Sequence, residues 1–286
     1  DMVKGGGRPH PRIPRDHPRG RGRESAASAG YHPPARSERL IPLDFHAVSR
    51  HILRLEVTLK IIGPLSIPVS VWLVRSDEGW IMVDTGPPAT ADHVVAAVAR
   101  ATEGRGPRLI LLTHAHYDHS GGLNALRLAW NTPIACHVEE VPFITGEMEY
   151  RDLQPRGWAF WLGRYLMASP AAGLPVSRDL QRGESIVGMV TIHLPGHSPG
   201  QIGFLHPQDQ AILCGDAVMN LRGQISPPLA IATPDPERAR ASMRRLAELD
   251  FIHLMPSHGE PILGRGREAL LRHLGLPADD VHAEPW

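Results

Sequence analysis

Cysteine is almost missing from this chain: two thiols, Cys136 and Cys214, stand among 286 residues. They cannot build a disulfide framework, and neither has a second cysteine at zinc-finger spacing. A reducing compartment is permitted, and a cytoplasmic location is the expectation. Net charge is missing too, since Lys+Arg and Asp+Glu each number 30. No global field gathers nucleic acid or anionic lipid, so neither nucleic acid nor membrane is expected as a partner. No apolar run approaches the ~20 residues of a membrane span, and no charged-then-apolar leader opens the sequence. Aromatic residues are scarce, at 5%. Histidine is plentiful, with 17 residues; it is the side chain that most often ligates borderline metals and carries protons near neutrality. A hydrophobic content of 42% suffices for the core of one large or two small domains and excludes disorder throughout.

Residues 1–40 are dense in Arg, Pro, Gly, His and Ser without apolar periodicity, and are expected to form a disordered tail ahead of a single catalytic domain over 41–286. From Ile52 the texture changes to β-branched runs at Leu53–Ile61, Val69–Val74 and Trp80–Val83, an antiparallel meander broken at Gly63-Pro64 and Asp77-Glu78-Gly79. After Asp84-Thr85-Gly86, Thr90 or Asp92 can cap a helix that carries Val94, Val95, Val98 and Ala99. Arg108–Thr113 reads as a buried strand that delivers the chain into His114. Further strands are expected at Ile134–His137, Ile186–Leu194, Ile202–Leu205, Ala211–Cys214 and Ile252–Met255, with helices at Pro236–Leu249 and Arg267–Leu274. Two successive strand-then-helix halves suggest two sheets face to face with helices outside.

The segment Thr113-His114-Ala115-His116-Tyr117-Asp118-His119 places three imidazoles and a carboxylate side by side. A core cannot bury them unpaired, because each unsatisfied polar group costs roughly 1 to 3 kcal/mol; a metal satisfies them. One intervening residue points His114 and His116 the same way on extended backbone, while the turn after Tyr117 carries Asp118 and His119 to a second position, which implies two adjacent metals. Downstream, His197 in Pro195-Gly196-His197-Ser198-Pro199-Gly200, Asp216 in Cys214-Gly215-Asp216 and His258 in Ser257-His258-Gly259 each follow an expected strand. Gly and Pro beside them set tight loops that present a side chain without helical bulk.

With these landmarks, Asp84-Thr85-Gly86 before the loop and Gly121-Gly122 after it, the chain resembles the metallo-β-lactamase-fold superfamily of metallohydrolases from roughly Leu53 to Leu274. The resemblance implies an α/β fold, a four-layer αββα sandwich of two mixed sheets with helices on the outer faces. It also implies that His114, His116 and His197 hold one metal, that Asp118, His119 and His258 hold another, and that Asp216 bridges them. Mixed imidazole and carboxylate donors suit two Zn2+ ions, with Mn or Fe as alternatives. The implied reaction is hydrolysis by a metal-bridging hydroxide, with Asp118 in the catalytic set. Asp84 either orients a ligand histidine, as the resemblance implies, or caps the following helix.

An aspartate at position 216 resembles the lactonase-like and thioesterase-like branches more than the true β-lactamases, which have cysteine or serine there. A lactone, ester or thioester is the expected small-molecule substrate. β-Lactam hydrolysis, a mononuclear-iron sulfur dioxygenase and a nuclease are the alternatives; no oligomeric state is implied. Selectivity is expected from residues 147–175, a possible helical lid in which Tyr150, Trp158, Trp161 and Tyr165 would line the substrate pocket. His137, His193, His206 and His253 read as structural histidines, Tyr117 as packing beneath the site and Cys214 as inert core.

Overall fold

Side chains alternate along β3 (Leu65–Ser76), where Val71 and Leu73 enter one apolar cluster and Trp72 and Val74 another. The computed structural model describes residues 43–153 and 173–277, and this alternation sets its layers. The first sheet runs in chain order from β1 (His46–Ala47) through β2 (Ile52–Ile62), β3, β4 (Gly79–Val83), β5 (Leu109–Leu111) and β6 (Ile134–His137) to β7 (Arg178–Leu180). Its first four strands are an antiparallel meander and its last three join in parallel. The second sheet comprises β8 (Ser185–Ile186), β9 (Met189–His193), β10 (Ile202–His206), β11 (Ala211–Gly215) and β14 (His253–Pro256), with β14 parallel to β11 at one edge. A separate hairpin, β12 (Met219–Leu221) and β13 (Gln224–Ser226), follows β11.

Ile81, Val83 and Leu111 of the first sheet meet Phe204, Leu213 and Met255 of the second in a central apolar layer. The outer face of the first sheet packs on α1 (Ala91–Ala101) and α3 (Leu123–Trp130) through Val94, Val98, Leu123 and Leu126. The outer face of the second packs on α5 (Pro236–Ala247) and α6 (Gly266–Leu274) through Met243, Leu246, Leu270 and Leu271. Between these lie two short helices, α2 (Tyr117–Ser120) and α4 (Val141–Thr145). The result is the four-layer αββα sandwich expected from the sequence.

Three local readings change. Ile186–Leu194 is not one strand, because Val187 and Gly188 both take positive φ (44° and 84°) and turn the chain between β8 and β9; a β-branched residue in that region carries no sequence signal. β3 begins at Leu65 and not Val69, and includes Pro68, because β4 pairs only with Trp72–Ser76 and leaves the front of β3 with β2 as its one partner strand. Thr90 stands at the N-cap of α1 but makes no cap bond; its hydroxyl donates to the Pro87 carbonyl at 3.0 Å. The tail over residues 1–40 lies outside the described residues.

Candidate metal centre

Asp84 follows β4 in a left-handed conformation (φ 59°) and is fully buried. Its Oδ1 accepts the Thr113 N–H (2.8 Å), and its Oδ2 accepts the Thr113 hydroxyl (2.8 Å), the His119 Nδ1–H (2.9 Å) and the Ser257 hydroxyl (3.4 Å). It therefore grips the start and end of the histidine loop together, while the helix after it has no side-chain cap. Gly122 lets that loop lie against the Asp84 turn, since a Cβ there would stand 2.5 Å from the Thr85 carbonyl oxygen.

The loops after β5, β9, β11 and β14 bring all seven expected ligands to one cleft, each nine-tenths buried or more. Three donor groups form: His114, His116 and His197; Asp118, His119 and His258; and His114, His119 and Asp216. Asp216 faces both halves, with Oδ2 3.3 Å from His197 Nε2 and 3.0 Å from His258 Nε2, and Oδ1 3.4 Å from His119 Nε2. Asp118 Oδ2 lies 3.3 Å from His258 Nε2 and 3.6 Å from His119 Nε2.

The far side of three of the rings is tied back. His258 Nδ1–H donates to the Pro68 carbonyl (2.9 Å). The Thr233 hydroxyl donates to the Leu229 carbonyl (2.8 Å), so its oxygen accepts from His197 Nδ1 (3.1 Å). His119 Nδ1 is held by Asp84. Each ring so fixed turns its other nitrogen into the cleft. Nε2 of His119 and His197 and Oδ1 of Asp216 are buried there without a hydrogen-bond partner, and His116 turns its Nδ1 toward His114 Nε2 (3.0 Å). Three such atoms converging at one place are a large debt of unsatisfied polarity unless a cation meets them. The donor set therefore fits a divalent metal.

Charge divides the two halves. Burial holds His114 and His116 well below the ordinary histidine pKa, and lowers His197 to about 4 against the pull of Asp216. Burial also acts to lower His119, but Asp118, Asp216 and Asp84 outweigh it and raise that group to about 9. His258 is likewise raised, with Asp216 and Asp118 overcoming its burial. Burial opposes ionisation of Asp216, which His258 and His119 nevertheless hold well below the usual carboxylate range.

The family model described as "Metallo-beta-lactamase superfamily" matches residues 66–258, a span from the β2–β3 hairpin to the last clustered histidine. The chain belongs to the metallo-beta-lactamase superfamily. Membership places it among the metal-dependent hydrolases of that group. It is 27% identical over 222 residues to "Probable metallo-hydrolase YflN" of Bacillus subtilis (strain 168), covering 71% of this chain and 84% of that protein. It is 32% identical over 167 residues to "Acyl-coenzyme A thioesterase MBLAC2" of Gallus gallus, covering 52% and 57%. Among solved structures, that of TTHA1623 in a di-iron-bound form aligns with TM-score 0.56 and 32% identity over 75% of this chain and 96% of that one.

In this superfamily member the cleft is walled by Leu59, Ile61 and Ile67 of the β2–β3 hairpin together with Met219, Leu229 and Ala232. The front of β3 extends past β4, which leaves Ile67, and Ile61 of β2, half-buried beside the cleft. Tyr150 does not line it: the residue is fully buried, stacks on Phe143 (4.0 Å) and sets its ring edge-on to His116 (4.3 Å). Its hydroxyl is occupied by the Ala115 N–H and Glu140. Trp158, Trp161, Tyr165 and most of the expected lid lie outside the described residues. Cys214 is buried toward α5 and α6 and burial pushes its thiol up, as inert core requires.

Two charged residues escaped the sequence reading. Arg54 looks like the solvent side of an alternating strand but is 3% exposed. It donates to the Gly259 carbonyl (2.9 Å), Ser70 Oγ (3.0 Å) and Glu260 (2.8 Å), and so braces the loop that carries His258. Glu140 looks like a solvated helix start and is wholly buried; burial raises it to about 7 against hydrogen bonds from Ser198, Ala115 and Gly200.

Proposed function

We propose that this chain is a binuclear metal-dependent hydrolase that opens lactone, ester or thioester bonds in substrates with an apolar acyl portion. The observation that carries the reading is the convergence of three buried donor atoms without a hydrogen-bond partner, His119 Nε2, His197 Nε2 and Asp216 Oδ1, beside an apolar-walled cleft. His114, His116 and His197 would hold one cation and Asp118, His119 and His258 the other, with Asp216 facing both. Two divalent ions so placed supply a Lewis acid and bring the pKa of a bound water toward neutrality.

The chain's own residues do the rest. Asp84, Thr233 and the Pro68 carbonyl fix the rings by their outer nitrogens, so the donors need no reorganisation. Leu59, Ile61, Ile67 and Leu229 receive the acyl portion and exclude water from it. Support for a thioester comes from the acyl-coenzyme A thioesterase relatives, and support for Zn2+ from the mixed nitrogen and oxygen donors. The di-iron-bound neighbour at 32% identity favours a second reading, in which iron occupies the same donors.

Metal quantification on purified protein, combined with a panel of lactone, acyl thioester, β-lactam and phosphodiester substrates, tests both readings. About two zinc ions per chain with turnover of lactones or thioesters is the expected result. One iron per chain with oxygen uptake, or turnover of phosphodiesters alone, overturns it.

A further inference from the structure

Glu140 ends the 3-10 turn Val138–Glu140 after β6, and no part of it reaches solvent. Its two carboxylate oxygens accept four hydrogen bonds. Oε2 takes the Ala115 N–H (2.8 Å) and the Tyr150 hydroxyl; Oε1 takes the Ser198 hydroxyl (2.8 Å) and the Gly200 N–H (2.7 Å). Ala115 lies between His114 and His116, and Ser198 follows His197. One carboxylate therefore ties the loop that gives two histidines to the loop that gives the third. The opposite half has its own buried carboxylate, Asp84, which holds His119 and Thr113. Gly200 makes room for the arrangement, since a Cβ there would stand 2.8 Å from Glu140 Cγ. Tyr150 joins the clamp to the ring of His116, which it meets edge-on.

We propose that Glu140 is the positioning residue of the three-histidine half: it sets the separation of the His114–His116 and His197 loops and so the metal affinity of that half alone. The proposal rests on the reading of the cleft as a metal centre. A carboxylate is required because each of its oxygens faces a backbone N–H, Ala115 at Oε2 and Gly200 at Oε1, which can only donate. A glutamine of the same shape offers one acceptor oxygen, and its amide N–H2 must face either Ala115 and Tyr150 or Ser198 and Gly200. One backbone N–H then points at another donor, and one of the two loops is released. Groups that orient ligands typically change metal affinity 10- to 100-fold when altered.

The experiment is titration of the metal-free full chain with Co2+ alone, followed by visible absorption and chelator competition, in the unsubstituted protein, Glu140→Gln, Glu140→Asp, Ser198→Ala, Tyr150→Phe and His197→Ala. His197→Ala identifies which of two equivalents belongs to the three-histidine half. In Glu140→Gln that same equivalent is expected to weaken by roughly 10-fold or more while the other shifts less than about twofold, and Glu140→Asp, which keeps the acceptors, recovers part of the loss. Two unchanged equivalents, or equal weakening of both with a lowered Tm, overturn the proposal and make Glu140 a fold determinant only. If Glu140→Gln does not fold, Ser198→Ala and Tyr150→Phe each remove one donor and must still weaken that equivalent selectively. Failure of the unsubstituted protein to bind Co2+ would instead sink the metal-centre reading itself.

Discussion

Two groups of histidine and aspartate in this protein use the same residue types to opposite ends. At the cleft, seven side chains converge, and buried polar atoms of His119, His197 and Asp216 have no hydrogen-bond partner. At the end of β10, His206 and Asp209 lie close enough to His51 of the β1–β2 turn to share an ion, yet there Asp209 is spoken for. Its Oδ2 accepts the Ser49 hydroxyl (2.5 Å) and the His51 N–H (2.9 Å), its Oδ1 faces His51 Nδ1 at 2.6 Å, and its own N–H donates to His206 Nδ1 (3.2 Å). Residue type alone does not separate a binding site from a latch. Hydrogen-bond satisfaction does, because a group whose bonds are complete gains little from a cation, while an incomplete one waits for it.

The largest effect expected from this contrast is at the cleft. His116→Ala and Asp118→Ala should each bring hydrolysis to background while unfolding stays cooperative, since the ligands sit on loops at the rim of a scaffold held by three apolar clusters. Thermal denaturation beside a turnover assay checks both halves of that statement. Loss of cooperative unfolding would make the ligand cluster structural and erase the difference from the Asp209 latch.

Next in size is Asp84→Asn, which keeps the shape but sets an amide against donors. Metal affinity is expected to fall about 10- to 100-fold, measured by chelator competition. The matching change at the latch, Asp209→Asn, should leave metal content and kcat/KM untouched and lower stability by about 1 to 3 kcal/mol in denaturant titration. A metal loss in Asp209→Asn would break the comparison.

The latch also carries a pH signature. Burial opposes ionisation of Asp209, but hydrogen bonds from Ser49 and His51 outweigh it and hold its pKa below the ordinary value. For a carboxyl depressed on folding, the stabilisation is complete above the unfolded pKa of about 3.9 and disappears as pH falls through the lower folded one. The stability gap between the unsubstituted protein and Asp209→Asn should therefore be full at neutrality and close below about pH 4. A gap that stays constant down to pH 2 would assign the loss to packing.

The smallest expected effect concerns selectivity. Across acyl substrates of increasing length, each methylene buried on the wall should add about 0.8 kcal/mol to kcat/KM discrimination, and Ile67→Ala with Leu229→Ala should flatten that slope. An unchanged slope in the double variant would remove Ile67 and Leu229 from the acyl-binding wall.

The clustering of the histidine loop was legible because three histidines and an aspartate crowd into one short segment, and that of His197, Asp216 and His258 because each follows an apolar strand and is flanked by Gly or Pro. The four layers were legible in the strand-then-helix order. Glu140 was not, because Val138-Glu139-Glu140-Val141 has the pattern of any helix start; nothing local says that one of two adjacent glutamates is sealed under two loops. Arg54 was misleading in the same way, since alternation with Leu53 and Leu55 marks a face without saying what covers it.

The sequence by itself determined the chemistry, because donor type and strand-end placement are local properties of the chain. It also settled that the reactive groups sit on loops, through the Gly and Pro beside them. Only the tertiary structure decided which carboxylate holds which loops, that Asp84 serves His119 and not a helix cap, that Tyr150 lies beneath the histidines, and that a hairpin overhang walls the cleft. Those outcomes depend on contacts between segments far apart in the chain, such as Glu140 with Gly200 or Arg54 with Gly259. A buried polar group is satisfied by whatever donor the packing of two sheets brings to it, and local sequence does not record that partner.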